Sequence, residues 1–215
     1  MNHLASPQDL KAWIAEHLDP LHEHAADGAA HRSDFDLSPA PWGDPEAPLT
    51  PAAVLIGLVE REEGVTVLLT RRSDNLRRHT GQVALPGGRV DPGEKPWETA
   101  LREAHEEVGL EPHFVSLVGL STPYRTGTNY LITPVVGFVQ PGFKLTPNPH
   151  EVADIFETPF GFLMDPTNHE EHEHETPTGE KRRFYAMTHD DRYIWGATAG
   201  ILRALYMRLY GAAVA

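Results

Sequence analysis

Between Gly88 and Leu110 the chain reads Gly-Arg-Val-Asp-Pro-Gly-Glu-Lys-Pro-Trp-Glu-Thr-Ala-Leu-Arg-Glu-Ala-His-Glu-Glu-Val-Gly-Leu, and no other stretch restricts the fold as strongly. Pro96 suits the first position of a helix and Gly109 suits its end, so a loop, a helix and a glycine stop are expected here. Trp97, Leu101, Ala104 and Val108 recur at steps of four, three and four, which predicts one buried stripe. Glu103, Glu106 and Glu107 recur at helical spacing on a different side. Carboxylates at such spacing repel by a few tenths of a kcal/mol per pair, and by more when desolvated. A hard divalent cation relieves that repulsion, and an all-oxygen donor set suits Mg²⁺ or Mn²⁺. The same three side chains also suit a solvated acidic face, and the helix alone does not separate the two readings.

The segments on either side read as a mixture of strands and helices. Ser6 to Leu18 predicts a helix, with Ser6 as N-cap, Pro7 at the first position and Leu10, Trp13, Ile14 and Leu18 at helical spacing. Pro20 to Pro51 is rich in Pro, Asp, Ala and His and reads as a long wrapping connection. Ala52–Val59 and Val65–Thr70 are apolar, β-branched runs that predict a hairpin. A basic loop follows from Arg71 to Gln82, then a short strand Val83–Leu85 broken by Pro86-Gly87-Gly88. Strands are expected at Val115–Leu120 and Leu131–Val139, a loop at Lys144–Asp154, and a short helix at Phe160–Met164. The His/Glu run from Asn168 to Glu175 reads as a solvated loop or as an accessory metal site. A hairpin is expected from Arg182–Thr188 and Tyr193–Trp195, and a final helix from Ala197 to Tyr210 with Ile201, Leu202, Leu205 and Leu209 on its apolar face. That order gives an α+β or mixed α/β class.

Charge and composition exclude several functions. The formal net charge of −13 over 215 residues repels nucleic acid and acidic membrane surfaces. An anionic substrate would therefore need local arginines or a bound cation. No cysteine is present, which removes disulfides, thiolate metal sites and a cysteine nucleophile. No apolar run approaches the roughly 18 residues of a membrane span, and Met1–Leu10 lacks the pattern of a secretion signal. The expectation is a cytoplasmic protein acting on a small molecule, as monomer or homodimer, without nucleic-acid or membrane partners.

The spacing around the acidic helix is more specific than the helix itself. It runs Gly88, five residues, Glu94, seven residues, Arg102-Glu103, apolar Ala104, one residue, Glu106-Glu107, one residue, Gly109, then apolar Leu110. This resembles, at every fixed position, the box that defines the Nudix hydrolases. The resemblance implies an α/β/α sandwich with a mixed β-sheet and the catalytic helix in a loop–helix–loop motif. With the helix and wrapping connection read above forming an N-terminal extension over residues 1–50, it implies a Nudix hydrolase domain over 51–215. It implies metal-dependent hydrolysis of a nucleoside diphosphate joined to another group, with Glu103 and Glu107 as ligands of Mg²⁺ or Mn²⁺ and Glu106 assisting. Gly88, Glu94, Arg102 and Gly109 would brace the motif.

The segment before the box, Leu68 to Gly88, resembles the signature of the coenzyme A pyrophosphatase branch. Arg72, Ser73, Arg77 and Gly81 fall on its positions, and Leu85 stands where the branch usually has Phe. The resemblance then implies hydrolysis of the coenzyme A diphosphate to 3′,5′-ADP and 4′-phosphopantetheine. Arg71, Arg72 and Arg77, with Gly87 and Gly88, are the expected substrate-binding residues, because guanidinium groups fork onto phosphate oxygens. Ordinary surface arginines are the plain alternative. Two carboxylates, Glu106 on the helix and Glu151 on a later loop, are candidates for the general base; Glu151 also reads as a solvated loop acid. Alternatives in activity are another Nudix specificity (ADP-ribose, NADH or a dinucleoside polyphosphate) and a nucleotide-binding protein without hydrolysis.

Overall fold

A computed structural model describes residues 7–21, 32–37, 47–74, 81–175, 179 and 181–211. Along the chain the elements are α1 (Pro7–His17), β1 (Arg32–Ser33), β2 (Thr50–Arg61), β3 (Gly64–Arg72), β4 (Val83–Ala84), β5 (Gly87–Arg89) and α2 (Pro96–Val108). Then come β6 (Val115–Leu120), β7 (Tyr124–Arg125), β8 (Tyr130–Val139), β9 (Val152–Pro159), α3 (Phe160–Leu163), β10 (Glu170–Glu175), β11 (Lys181–His189), β12 (Arg192–Trp195) and α4 (Ala197–Tyr210).

Among the described residues, strands β1 to β9 form one mixed sheet and β10–β11–β12 a second, antiparallel one. Long β2 is the centre of the first. It runs parallel to β8 over Thr50–Val59, and its other edge pairs antiparallel with β3 near one end and with β5 near the other. The space between the diverging β2 and β3 is where β4 and β5 enter, with β4 on β3 and β5 on β2. The break at Pro86 therefore delivers Gly87 and Gly88 to the sheet at the point where the two strands part.

Alternation along β2 sends its side chains into two cores. Ala53, Leu55 and Val59 pack with Ala100, Ala104 and Val108 of α2, while Ile56 and Leu58 pack with Ile14 of α1 and Ile201, Leu202 and Leu205 of α4. The result is the α/β/α sandwich of the α+β class expected from the sequence. The extension before β2 contributes to it directly. Ile14 is fully buried, Asp19 and Leu120 exchange backbone hydrogen bonds of 3.0 and 2.9 Å, and Arg208 of α4 donates to His17 O (2.6 Å) and Asp19 Oδ2 (3.0 Å). Most of the connection from 20 to 51 lies outside the described residues, as does Ser6.

Several elements differ from expectation. The buried stripe of α2 is Ala100, Ala104 and Val108, with Leu101 and Trp97 only half-buried. Two alanines let the helix approach Ala53 and Leu55 closely, and the larger Leu101 and Trp97 sit at the flanks. The loop after Lys144 ends early, because Val152–Pro159 forms β9 along seven residues of β3. The His/Glu run is not a loop: it is strand β10, held by cross-strand charge pairs that include Lys181–Glu173 at 2.7 Å and Arg183–Glu171. The hairpins β2–β3 and β11–β12, strand β6, helix α3 and helix α4 lie where the sequence placed them.

If α1 is a structural part of the sandwich, Ile14→Ala should destabilise the protein by about 2–5 kcal/mol in urea unfolding. An unchanged midpoint would show that the helix does not contribute to the core.

Candidate active site

The loop before α2 is fastened to the helix by one arginine. Arg102 donates from Nε to Glu94 Oε1 (2.8 Å) and from Nη2 to Glu94 Oε2 (3.0 Å) and Arg89 O (3.1 Å). Glu94 also accepts from Thr99 Oγ1 (2.7 Å) and from Asp91 N (3.2 Å). Four donors on one carboxylate, the Arg102 guanidinium foremost, hold its pKa down to about 2. Gly109 ends the helix in the left-handed region (φ 70°), its N–H on His105 O at 2.9 Å. Glu94 and Arg102 thus join the loop to the helix, and Gly109 closes the helix end. Thr99, fully buried, was not singled out from the sequence; its place five residues after Glu94, in the first turn, was the available signal.

The three helix carboxylates do not share one environment. Glu106 is exposed, with 55% of its side chain accessible; Glu103 is mostly covered, at 16%; Glu107 is buried, at 5% for the whole residue. The rotation of α2 that turns Ala100 and Ala104 inward also carries Glu107 inward. Its Oε2 accepts from Gly87 N at 3.2 Å. Burial pushes its pKa up to about 7; the Gly87 N–H opposes this, Glu103 adds to it, Arg72 opposes and Glu151 adds. Burial also raises Glu103, against the Arg102 hydrogen bond. Gly88 lies directly under the Glu103 carboxylate, where any Cβ would collide with it. That contact ties the first glycine of the motif to its first helix carboxylate.

The loop after Phe143 closes the site. Thr146 N donates to Val108 O (2.9 Å) and Asn148 N to Glu107 O (2.8 Å), so the loop is stitched to the last turn of α2. Ser73 N donates to Glu151 O (2.8 Å), which joins the end of β3 to the same loop. Glu151 comes close enough to raise both Glu103 and Glu107 electrostatically. Of the arginines, Arg72 acts on Glu107, and its buried Nε has no hydrogen-bond partner among the described residues. Arg71 leaves the opposite face of β3 and pairs with Asp74 at 3.3 Å. Arg77 lies outside the described residues.

The site therefore gathers Glu103, Glu107, Glu151, Arg72, Gly87 and Gly88. Its donor chemistry fits a hard divalent cation, because Glu107 is a desolvated carboxylate satisfied by one neutral N–H, beside two further acids. As the side chains stand, no three acidic or imidazole groups among the described residues converge into a ready cluster. Arg102 explains this: its Nη1 holds both Glu103 Oε1 (2.8 Å) and Glu106 Oε2 (3.1 Å). Cation binding requires these carboxylates to exchange some of that guanidinium contact for the ion.

A profile of the NUDIX domain matches residues 48–180. The chain is 41% identical over 155 residues to a protein of Photorhabdus laumondii named uncharacterized Nudix hydrolase NudL, covering 72% of this chain and 82% of that one. A Yersinia pestis protein of the same name is 40% identical over 155 residues, covering 72% of this chain and 77% of its own length. Among solved structures, a C. elegans Ap4A hydrolase is 20% identical with a TM-score of 0.46 over 51% of this chain and 80% of that one. RenU, a Nudix hydrolase from M. smegmatis, is 25% identical with a TM-score of 0.45, covering 54% and 73%.

The raised pKa of Glu107 fixes the sign of a pH effect. An unfolded chain loses this proton near 4.5, whereas the cation-free fold keeps it to about 7. Folded stability therefore falls as pH rises through that window, by about 3 kcal/mol in all. A cation that binds the ionised carboxylate reverses the loss. The rise in Tm on adding Mn²⁺ should be larger at a pH of about 8 than at about 5.5; equal shifts would contradict the placement of Glu107 among the ligands.

Proposed function

The chain belongs to the Nudix hydrolase family, and from that premise we propose that it hydrolyses the diphosphate of coenzyme A to 3′,5′-ADP and 4′-phosphopantetheine. The observation that carries the substrate is the position of Arg72-Ser73. This dipeptide belongs to the segment resembling the coenzyme A branch, and it ends β3 beside Glu107, hydrogen-bonded to the loop bearing Glu151. A substrate signature elsewhere on the surface would say little. Here it adjoins the carboxylates that carry the family's chemistry.

Family members use divalent metal ions; Mg²⁺ or Mn²⁺ on Glu103 and Glu107, assisted by Glu106, would neutralise the diphosphate and acidify the attacking water. Arg72 supplies a guanidinium with an uncommitted buried Nε to the phosphate oxygens. Arg77 would add positive charge for the 3′-phosphate, whereas Arg71 leaves the opposite face of β3 and is held by Asp74. Gly87 and Gly88 would serve the diphosphate site through their backbone, since a Cβ at Gly87 would collide with Ala53 and Val54 and one at Gly88 with the Glu103 carboxylate. Water attacks one phosphorus, the bridging P–O bond breaks, and both products leave as phosphates. We place the proton acceptor on Glu151, because the Glu106 carboxylate is engaged by Arg102 Nη1 at 3.1 Å while Glu151, on the loop tied to Glu107 O, acts electrostatically on both Glu103 and Glu107. The Glu94–Arg102 clamp holds the loop and helix in register throughout.

Glu151→Gln should lower kcat by about 10²- to 10⁴-fold, the range for a lost general base, and Glu106→Gln by much less. The reverse order would move the proton acceptor to Glu106. Glu107→Gln should cost more than the roughly 10- to 100-fold typical of residues that only support a metal ligand, with the fold intact by circular dichroism. Across a substrate panel, kcat/KM for coenzyme A should exceed that for ADP-ribose, NADH and dinucleoside polyphosphates by at least about tenfold. A preference for any of these would replace the coenzyme A reading while leaving the reaction class in place.

A further inference from the structure

A groove of about 440 Å³ runs along β9 immediately beyond the Glu151 loop. This is within the usual range for a small-molecule site, roughly 300–1,000 Å³. Leu145 and Pro147 form one wall, Ala153 and Ile155 the other, and Leu68 of β3 lies beneath. Two of its lining residues lie close in sequence to residues that meet the candidate site. Pro147 is next to Asn148, which binds Glu107 O, and Ala153 is two residues from Glu151. The stretch from Ala153 to Glu157 is about 13 Å long at the usual rise of a strand.

The chemistry of the groove selects its occupant. Its two acids are already paired, Asp154 with Arg192 Nη1 at 2.9 Å and Glu157 with Arg61 Nε at 3.0 Å, so it presents no uncommitted cation to a phosphate. Its walls are apolar. Strand β9 pairs with β3 alone among the described residues and is a free edge of the sheet. Ile155 N–H is taken by Asp154 Oδ1 (2.9 Å), and the remaining outward backbone groups can exchange hydrogen bonds with an extended amide chain, as in strand addition. Coenzyme A is asymmetric in the same sense. Its nucleotide end carries a second phosphate, and its other arm is uncharged, extended and built on two secondary amides.

We propose that this groove seats the uncharged arm of the substrate, with Ala153 and Ile155 determining how long an attached acyl chain is accepted. The proposal rests on the coenzyme A reading. It places the nucleotide end on the other side of the site, toward Arg72.

Calorimetric titration of the full-length protein in the presence of Mn²⁺, with 4′-phosphopantetheine and with 3′,5′-ADP separately, tests it. Ala153→Trp, at an exposed position on the groove wall, should weaken 4′-phosphopantetheine by about tenfold or more and leave 3′,5′-ADP near its wild-type affinity. Unchanged phosphopantetheine binding, or equal weakening of both halves, overturns the assignment. Ile155→Ala, which widens the groove, should shift the kcat/KM optimum across acyl-coenzyme A thioesters toward longer chains, and an unshifted optimum also overturns it. A wild-type enzyme that cleaves coenzyme A while neither variant discriminates removes the groove alone. A wild-type protein that binds neither half and leaves coenzyme A intact removes the coenzyme A reading with it.

Discussion

The Arg102 guanidinium is the interaction on which the site depends. Its planar fork spans Glu94 in the loop and Glu103 and Glu106 on the helix, and it also reaches the carbonyl of Arg89. A lysine could not hold four groups at once from a single point charge. Because Glu94 is anchored by this fork and by Thr99, the loop before α2 has one position relative to the helix. That position puts Gly88 under Glu103 and Gly87 N–H on Glu107. The same guanidinium offsets the repulsion between Glu103 and Glu106, so one residue both shapes the site and engages two of the carboxylates proposed to hold a cation.

The sandwich presents this unit to the rest of the molecule. α2 lies on one face of the sheet through Ala100, Ala104 and Val108, while α1 and α4 cover the other. The end of β3 and the Thr146–Glu151 loop then meet α2 from the side, joined by backbone hydrogen bonds rather than by long side chains. Backbone bonds fix Glu151 and Arg72 near Glu107 without committing their side-chain atoms. Those atoms are the ones that the proposed reading assigns to the substrate and the proton, and β9, beyond the loop, pairs with β3 alone among the described residues.

Much of this was legible in the sequence because it rests on local chemistry. The loop and the helix ends follow from short-range chemistry, the Glu94–Arg102 bracing was implied by the resemblance to the Nudix box, and the β2–β3 hairpin and α4 follow from strong apolar periodicity. What could not be read depends on partners distant in the chain. The burial of Glu107 follows from a small rotation of α2, set by two alanines against Ala53 and Leu55, and a heptad-like count gave Leu101 the place Ala100 holds. Strand β9 is interrupted by Asp154 and Glu157 and bounded by prolines, so its pattern is masked until Arg192 and Arg61 pair those acids. The Glu-His run of β10 resembles a solvated loop until Lys181 and Arg183 of β11 are placed opposite it. The separation of Arg71 from Arg72 is the alternation of a strand that the sequence had ended two residues earlier, at Thr70.

The most direct test of the account is cleavage of coenzyme A in ¹⁸O-labelled water with Mn²⁺, followed by chromatography and mass spectrometry. The account predicts equal amounts of 3′,5′-ADP and 4′-phosphopantetheine, ¹⁸O in one phosphate, and no products after chelation of the cation. Intact coenzyme A, or products formed equally well without a divalent ion, would contradict it.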